Sequence, residues 1–234
     1  MISPLRVWRQ RDLRVSFVVL KYVFPGPLLK AIIRPRVKGL ERLAAEGPII
    51  LAPNHLSPFD PFLLSLVCPR RIVFLAKREY WEAPGIRGRL MRALFQSQGQ
   101  ISTIRGGTIG GLNAVDVSVA NLEQGKVFGV FPEGTRGRPG LLYRGHTGVA
   151  QAAFRTGVPV HPVVITGTSE FSIGALLSGK LSGCTVEIGE PIAPPDGNVK
   201  SPKELHRFTK EVMARIAELG NLEIQETFSP GRAT

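Results

Sequence analysis

The stretch IILAPNHLSPFD, residues 49–60, joins a short apolar run to a polar loop. Its first four residues carry no polar side chain and follow a turn formed by Gly47 and Pro48. Such a run is typical of a strand that is buried on both faces, as in a parallel sheet. The polar residues after it then lie at the carboxyl end of the strand, where open α/β sheets bind their ligands. The stretch therefore predicts an α/β fold with a functional site at one edge of its sheet.

The remainder of the chain repeats this alternation of apolar runs and helix-like stretches. Further strands are predicted at residues 72–76, 101–104, 127–131, 160–166 and 185–188. Apolar residues that recur at helical spacing predict core-facing helices at residues 112–122 and 205–219. Gly125 and Gly220 follow these helices, and glycine commonly ends a helix. Strands that alternate with helices predict a mostly parallel central sheet flanked by helices.

The N-terminal segment carries most of the net charge of +12. Ten Lys or Arg and two acidic residues lie among the first 42, which places +8 of this charge there. Apolar residues such as Phe17, Leu20, Val23 and Leu28 are interleaved with the cations. A basic amphipathic helical segment of this kind is suited to an anionic membrane surface, because it combines apolar burial with attraction to the headgroups.

A transmembrane helix, a secretory signal and a nucleic-acid-binding arm fit this basic segment less well. A transmembrane helix needs about 20 predominantly apolar residues, and Lys21, Pro25, Pro27 and Lys30 interrupt the stretch. A secretory signal ends in a cleavage site of small residues, and none follows the apolar run. Nucleic-acid binding would call for a recognisable module, and the sequence contains none. We therefore expect a peripheral, monotopic membrane protein with no nucleic-acid partner.

The two cysteines, Cys68 and Cys184, are far apart and belong to no CxxC pair or Cys/His cluster. This argues against a disulfide framework and a zinc site, and it fits a reducing compartment. The content of 43% hydrophobic and 21% charged residues is that of a globular protein. We predict a membrane-associating helical segment at residues 1–36, an α/β domain at 37–226 and a flexible tail at 227–234.

Polar residues also follow the next three predicted strands. Lys77 comes after the second strand, Arg105 after the third, and residues 133–136 after the fourth. Because the carboxyl ends of parallel strands meet at one edge of a sheet, we expect these side chains to surround His55 and Asp60. The sequence therefore predicts an acid/base centre beside an anion site.

His55 and Asp60 are the candidate acid/base pair. A neutral histidine accepts a proton from an alcohol near neutral pH, and a carboxylate on its other ring nitrogen fixes its tautomer and orientation. The turn that contains Ser57 and Pro58 allows Asp60 to fold back towards His55. No serine or cysteine nucleophile is then needed, because the hydroxyl group of the substrate can itself be the nucleophile. The spacing alone is weak evidence, and its position after a buried strand supplies the context.

Arg105 and Arg136 are interpreted as phosphate-binding residues. The guanidinium group stays charged and offers a planar fork of donors that matches a phosphate. Lys77 is a further candidate of the same type, and Gly134 allows the backbone to approach a ligand closely. Glu133 either positions the substrate or pairs with Arg136 and holds the loop in shape. The alternative for the three cations is that they are solvated loop charges without a specific role.

These motifs, in this order, resemble those of the glycerol-phosphate and lysophosphatidic acid acyltransferases. The likeness covers roughly residues 37–192. Two places depart from the family pattern: Gly137, where a serine is common, and residues 102–104, where an aromatic or aliphatic pair is usual. The matching stretches are Asn54-His55-x4-Asp60, Arg105-Gly106-Gly107, FPEGTR at residues 131–136 and the Pro-containing run at 158–163.

The resemblance implies a role for each matching residue. His55 would be the general base that deprotonates the acceptor hydroxyl, and Asp60 would orient it. Arg105 and Arg136 would hold the phosphate of the acceptor. The residues that the resemblance assigns to the walls of the binding site are Glu133, Gly134 and Thr135.

The resemblance also implies the partners of the protein. The acceptor would be the lysophospholipid 1-acylglycerol-3-phosphate, the donor acyl-CoA or acyl carrier protein, and the product phosphatidic acid. No metal and no organic cofactor is implied, since the thioester supplies the driving force. The enzyme would rest on the cytoplasmic face of the cell membrane. Open alternatives are glycerol-3-phosphate or another lysophospholipid as acceptor, a hydrolase that uses water, and a lipid-binding module without turnover.

Overall fold

The computed structural model describes residues 17–44, 46–77, 84–97, 99–103, 114–172, 174–175, 178, 183–195 and 201–231. Within these ranges a seven-stranded sheet forms the centre of the protein, and a two-stranded sheet lies beside it. The strands are β1 Arg36–Lys38, β2 Ile49–Pro53, β3 Ile72–Lys77, β4 Gln100–Thr103, β5 Val127–Gly129, β6 Leu141–Leu142, β7 Val160–Thr166, β8 Thr185–Ile188 and β9 Glu223–Ile224.

The central sheet has the order β1-β8-β7-β2-β5-β3-β4. Strands β7, β2, β5, β3 and β4 run parallel to one another, whereas β8 is antiparallel to β7 and carries β1 parallel to itself. The carboxyl ends of the five parallel strands therefore lie at one edge of the sheet. The prediction of an α/β fold with a mostly parallel central sheet is confirmed, and the six predicted strands are all present.

Strands β1, β6 and β9 are absent from the sequence-based prediction because each has only two or three residues and none lies in an apolar run as long as that of 127–131. The predicted end of β5, at Phe131, is also too late. The strand ends at Gly129, and the chain turns at Pro132, which has no N–H group to donate to a ladder. The consequence is that Phe131 lies in the loop at the carboxyl edge of the sheet.

Helices cover both faces of the central sheet. Side chains alternate along β2, so that Ile49 and Leu51 face one core and Ile50 and Ala52 face the other. The first core contains α1 and α2, and the second contains α4, α5 and α6. The helices are α1 Gly26–Ile33, α2 Asp60–Val67, α3 Gly85–Ser97, α4 Ala114–Leu122, α5 Gly148–Thr156 and α6 Pro202–Gly220, with a π-helix at Val19–Val23 and a 3-10 helix at Leu40–Leu43.

The described part of the N-terminal segment, residues 17–33, is largely helical and leaves a row of apolar side chains exposed. Lys21, by contrast, is only 4% exposed, and its ammonium group donates a hydrogen bond to the carbonyl oxygen of Cys68. Burial lowers the pKa of Lys21 to about 8. Lys21 therefore anchors the segment to the domain and does not belong to its outer basic face. Among the described residues, none of the helices has the length and apolar character needed to cross a bilayer.

The C-terminal residues 227–231 contact the domain, and the flexible tail predicted at 227–234 stays a prediction. The ring of Phe228 stacks on that of His146 with centroids 4.5 Å apart. The hydroxyl of Ser229 donates a hydrogen bond of 3.0 Å to the carbonyl oxygen of Arg136. These contacts follow from the pairing of β6 with β9, which brings the chain end beside the loop at residues 131–136. No sequence pattern signals this return.

We predict that Gly129→Ala destabilises the protein. An added Cβ at this position in β5 would overlap the ring of Phe74, which is fully buried in the first core. Overpacking of this kind costs about 1–3 kcal/mol of unfolding free energy, measured by urea denaturation. Gly148→Ala, at the start of α5, is the control, because nothing lies within 4 Å of the added Cβ there. Equal stability of the two variants would contradict this role of Gly129.

Candidate active site

His55 and Asp60 form a hydrogen-bonded pair at the carboxyl end of β2. The distance from His55 Nδ1 to Asp60 Oδ2 is 2.8 Å. Asp60 is the first residue of α2, and the turn at residues 58–59 folds it back against the loop. Because the carboxylate accepts the hydrogen of Nδ1, the lone pair of the imidazole lies on Nε2. The pair has the arrangement that a histidine general base requires.

The carboxylate of Asp60 is completely buried. Its Oδ2 atom also accepts hydrogen bonds from the N–H groups of Leu56, at 2.6 Å, and Ser57, at 2.7 Å. Its Oδ1 atom accepts a hydrogen bond of 2.7 Å from the hydroxyl of Thr168. A buried charge is tolerated only when such partners satisfy it. The loop between β2 and α2 is therefore wrapped around this carboxylate.

An aromatic side chain supports the histidine ring. Phe131 stacks on His55 with ring centroids 4.1 Å apart and an interplanar angle of 25°. On its other side Phe131 contacts Phe74, at a centroid distance of 5.4 Å. His55 keeps 17% of its side-chain surface accessible, so the ring is held in place and still open to a substrate. The sequence pattern predicted Phe131 as a strand residue and gave no sign of this role.

Asn54 fixes the start of the same loop. Its side-chain amide donates a hydrogen bond of 3.0 Å to the carbonyl oxygen of Ile165, and its side-chain oxygen accepts one of 2.7 Å from the N–H of Ile165. These two bonds continue the pairing of β2 with β7 beyond the end of β2. Asn54 is buried, so it holds the chain just before His55 and is not a substrate contact.

Glu133 joins the FPEGTR loop to the histidine loop. It accepts a hydrogen bond of 3.1 Å from the N–H of His55 through one oxygen and one of 3.0 Å from the N–H of Tyr143 through the other. In addition, the N–H of Gly137 donates a bond of 2.7 Å to the carbonyl oxygen of His55. Both carboxylate oxygens of Glu133 accept hydrogen bonds from backbone groups, which favours a loop-holding role over a substrate contact. Among the described residues Glu133 forms no ion pair with Arg136, so it holds the loop through the backbone and not through the predicted pairing.

Gly137, where the resembling family commonly has a serine, has a physical explanation. A Cβ at this position would lie 2.9 Å from Glu133 Oε2 and 3.3 Å from the ring of Tyr143. Glycine therefore leaves room for the carboxylate to bridge the two loops.

Gly134, Thr135 and Arg136 follow in the same loop. Gly134 has a φ of +68°, and a Cβ there would lie 2.9 Å from the ring of His146, so glycine fits this turn best. The side chain of Arg136 is half-buried. Within the part of the chain that the structure describes, no carboxylate forms an ion pair with Arg136. Its guanidinium group is therefore available to an anionic ligand.

Lys77 and Arg105 are the other two predicted phosphate-binding residues. Lys77 is the last residue of β3, whose carboxyl end lies at the same edge of the sheet as that of β2. Its side chain lies outside what the structure describes. Arg105 also lies outside the described residues, in the stretch 104–113 that follows β4. The phosphate-binding roles of both stay predictions.

The residues that build this site lie in a part of the chain that matches a known protein family. The model of the family described as Acyltransferase matches residues 34–166, which include the histidine pair and the FPEGTR loop. The chain belongs to the acyltransferase family. This assignment agrees with the resemblance seen in the sequence. The protein is therefore an enzyme that transfers acyl groups.

Curated relatives carry a more specific name. The chain is 29% identical over 179 residues to "1-acyl-sn-glycerol-3-phosphate acyltransferase" of Borreliella burgdorferi, covering 75% of this chain and 67% of the relative. It is 27% identical over 193 residues to "1-acyl-sn-glycerol-3-phosphate acyltransferase alpha" of Homo sapiens, covering 82% and 63%. The match thus spans about two thirds of these relatives' length.

A solved structure supports the fold. The crystal structure of the 1-acyl-sn-glycerophosphate (LPA) acyltransferase PlsC from Thermotoga maritima matches with a TM-score of 0.61. It covers 89% of this chain and 79% of the other, at 24% sequence identity. The fold of this acyltransferase is therefore shared with a protein of known structure.

We predict that Glu133 makes stability fall as pH rises. Burial raises the pKa of Glu133 to about 7 in the folded protein, against an ordinary value of 4.5. Between these two values the unfolded chain has already lost a proton that the folded protein still binds, so the free energy of unfolding decreases with pH. Glu133 contributes about 3 kcal/mol to the free energy of unfolding at low pH, and this contribution is fully lost once the pH exceeds the pKa of the folded state.

Glu133→Gln should remove this part of the pH dependence, as measured by denaturant unfolding at several pH values between about 4 and 8. The loss of one of the hydrogen bonds that Glu133 accepts changes the unfolding free energy of the variant by the same amount at every pH. Comparing the slopes of the two pH profiles removes this constant difference. Glu218→Gln, at an exposed ion pair with Arg215, is the control and should follow the wild type. A Glu133→Gln profile parallel to the wild type would show that Glu133 does not bind this proton.

Proposed function

We propose that this acyltransferase moves a fatty acyl group from acyl-CoA or acyl carrier protein to the free hydroxyl of 1-acylglycerol-3-phosphate, forming phosphatidic acid. The observation that carries the proposal is the pair of a partly exposed His55 and a buried Asp60, whose loop is hydrogen-bonded to the loop of Arg136. The names of the relatives point to the same acceptor.

The proposed reaction begins with the neutral imidazole of His55. Nε2 removes the proton of the acceptor hydroxyl as its oxygen attacks the carbonyl carbon of the thioester. Asp60, on the opposite ring nitrogen, stabilises the imidazolium that forms. The tetrahedral intermediate then expels the thiolate, which takes the proton from Nε2. The products are the ester and a free thiol, and His55 returns to its starting state.

The acceptor phosphate is assigned to Arg136. Its loop is bound to the backbone of His55 on both sides, through the Glu133 carboxylate and the N–H of Gly137. A phosphate held by the guanidinium group would therefore keep a fixed relation to the general base. Arg105 is proposed as a second phosphate ligand on the strength of the motif resemblance.

We expect His55→Ala to lower the transfer rate by at least about a hundredfold, since general-base catalysis contributes that much or more. The measurement is a mass-spectrometric product assay in detergent. Acyl-CoA and acyl carrier protein are offered with 1-acylglycerol-3-phosphate, with glycerol-3-phosphate, and without an acceptor. The control variant is His206→Ala, at an exposed position of α6. Circular dichroism checks that both variants are folded.

Each outcome of this assay has a meaning. Phosphatidic acid from the wild type and from His206→Ala, but not from His55→Ala, supports both the acceptor and the base. Product from glycerol-3-phosphate instead keeps the mechanism and replaces the acceptor. Free fatty acid without an acceptor, or full activity of His55→Ala, contradicts the proposal.

We also propose that the N-terminal segment attaches the enzyme to an anionic membrane on its cytoplasmic face. Val23 and Phe24 are 68% and 65% exposed, although water disfavours such side chains. Lys30 and Arg34 add positive charge at the end of α1. Apolar insertion together with headgroup attraction is the usual basis of interfacial binding. Other exposed apolar residues of the N-terminal segment are Val18, Val19, Tyr22 and Leu28.

Replacing both Val23 and Phe24 by serine should weaken binding to vesicles of phosphatidylglycerol and phosphatidylcholine by about tenfold or more. Vesicle sedimentation measures the bound fraction, and higher ionic strength should also lower it. Ile224→Ser is the control, because it removes an exposed apolar residue from β9, beside the opposite face of the sheet. Equal binding of the double variant and the control would refute this attachment surface.

A further inference from the structure

Thr168 lies directly behind the catalytic pair, although no motif includes it. It follows β7 after Gly167, whose φ of +80° turns the chain at the end of the strand. Thr168 is completely buried. Its hydroxyl donates a hydrogen bond of 2.7 Å to Asp60 Oδ1. A residue 108 positions away in sequence thus contacts the carboxylate that supports His55.

The two oxygens of Asp60 are held in different ways. Oδ2 accepts bonds from His55 Nδ1 and from the N–H groups of Leu56 and Ser57, all from its own loop. Among the described residues, Thr168 is the one hydrogen-bond donor to Oδ1. Donors at Oδ2 alone fix the position of one oxygen, while the second contact at Oδ1 fixes the plane of the carboxylate. Without it, Oδ1 would be a buried charged atom with no partner among the described residues, which costs free energy.

The end of β7 is itself firmly placed. Asn54 bonds to both backbone groups of Ile165, three residues before Thr168. A Cβ on Gly167 would lie 3.0 Å from the Cα of Cys184, so the turn is packed closely against the neighbouring chain segment. The hydroxyl of Thr168 is thus presented by a rigid strand end and not by a mobile loop.

We propose that Thr168 is a positioning residue for the proton-transfer pair: it locks the carboxylate of Asp60 in the orientation that aligns and polarises His55. The proposal rests on the proposed function of His55 as general base. Because Thr168 is completely buried, we assign its effect to the chemical step and not to binding.

The test compares variants that keep or delete the hydroxyl. Thr168→Val is nearly isosteric and lacks the hydroxyl. Thr168→Ser keeps the hydroxyl on a smaller side chain, and Thr168→Ala lacks it. The Ser and Ala pair decides the question even if the Val variant does not fold. The matched control is Thr209→Val, which deletes the hydroxyl of another buried threonine, one that donates to the carbonyl oxygen of Leu205 on α6.

Two quantities are measured on each purified full-length variant. The first is kcat and KM for acyl transfer to 1-acylglycerol-3-phosphate. The second is the rate at which diethyl pyrocarbonate modifies His55, obtained by subtracting the signal of His55→Ala. This second rate reports the reactivity of the Nε2 atom and needs no turnover, so it tests the positioning of His55 even if the acceptor assignment is wrong.

We expect Thr168→Val and Thr168→Ala to lower kcat by about tenfold or more with KM little changed, because a hydrogen bond to a charged group is lost. The modification of His55 should slow in both variants. Thr168→Ser should recover both rates to within about twofold of wild type, and Thr209→Val should retain them.

Wild-type kcat and wild-type His55 reactivity in a folded Thr168→Ala variant would overturn the inference while leaving the proposed function intact. Equal losses in Thr168→Ser and Thr168→Ala would also overturn it, because they would show that shape and not the hydroxyl matters. If no variant, including the wild type, transfers an acyl group, the proposed function fails. The His55 modification rates then still decide whether Thr168 positions the pair.

Discussion

The burial of one carboxylate, that of Asp60, sets the geometry of the whole site. A charge removed from water must be satisfied by donors, and the chain supplies them from its own loop and from the end of β7. The donors from the loop force a tight turn, and this turn aims the imidazole of His55. The contact from Thr168 then ties the turn to the central sheet. The same hydrogen bonds therefore stabilise the fold and set the geometry of the proposed catalytic pair.

The motif of His55 and Asp60 and the FPEGTR motif are distant in sequence but adjacent in the fold. Strands β2 and β5 are neighbours, so the loops that follow them meet at one edge of the sheet. Glu133 and Gly137 bond to the backbone of His55 from either side of Arg136. Phe131 at the same time supports the imidazole ring. The proposed base and the proposed phosphate ligand thus belong to one connected unit, to which the C-terminal residues are hydrogen-bonded through Ser229.

Much of this could be predicted from the sequence because it depends on local pattern. Buried parallel strands are continuous apolar runs, so six of the seven strands of the central sheet can be located from the sequence. The rule that ligands bind at the carboxyl ends of such strands then points to His55, Asp60 and Arg136. The basic and apolar character of the N-terminal segment also follows directly from composition. These features need no knowledge of which strand lies beside which.

The tertiary structure alone decided the rest, because those contacts join residues that are far apart in sequence. The strand order places β7 beside β2, and only this brings Thr168 and the backbone of Ile165 to the catalytic loop. The burial of Lys21 and the return of Phe228 to His146 likewise depend on packing. The sequence by itself determined the fold class and pointed to the proposed reacting groups, through periodicity and residue chemistry. Their orientation was decided by the sheet, since hydrogen-bond partners are fixed only once the strands have assembled.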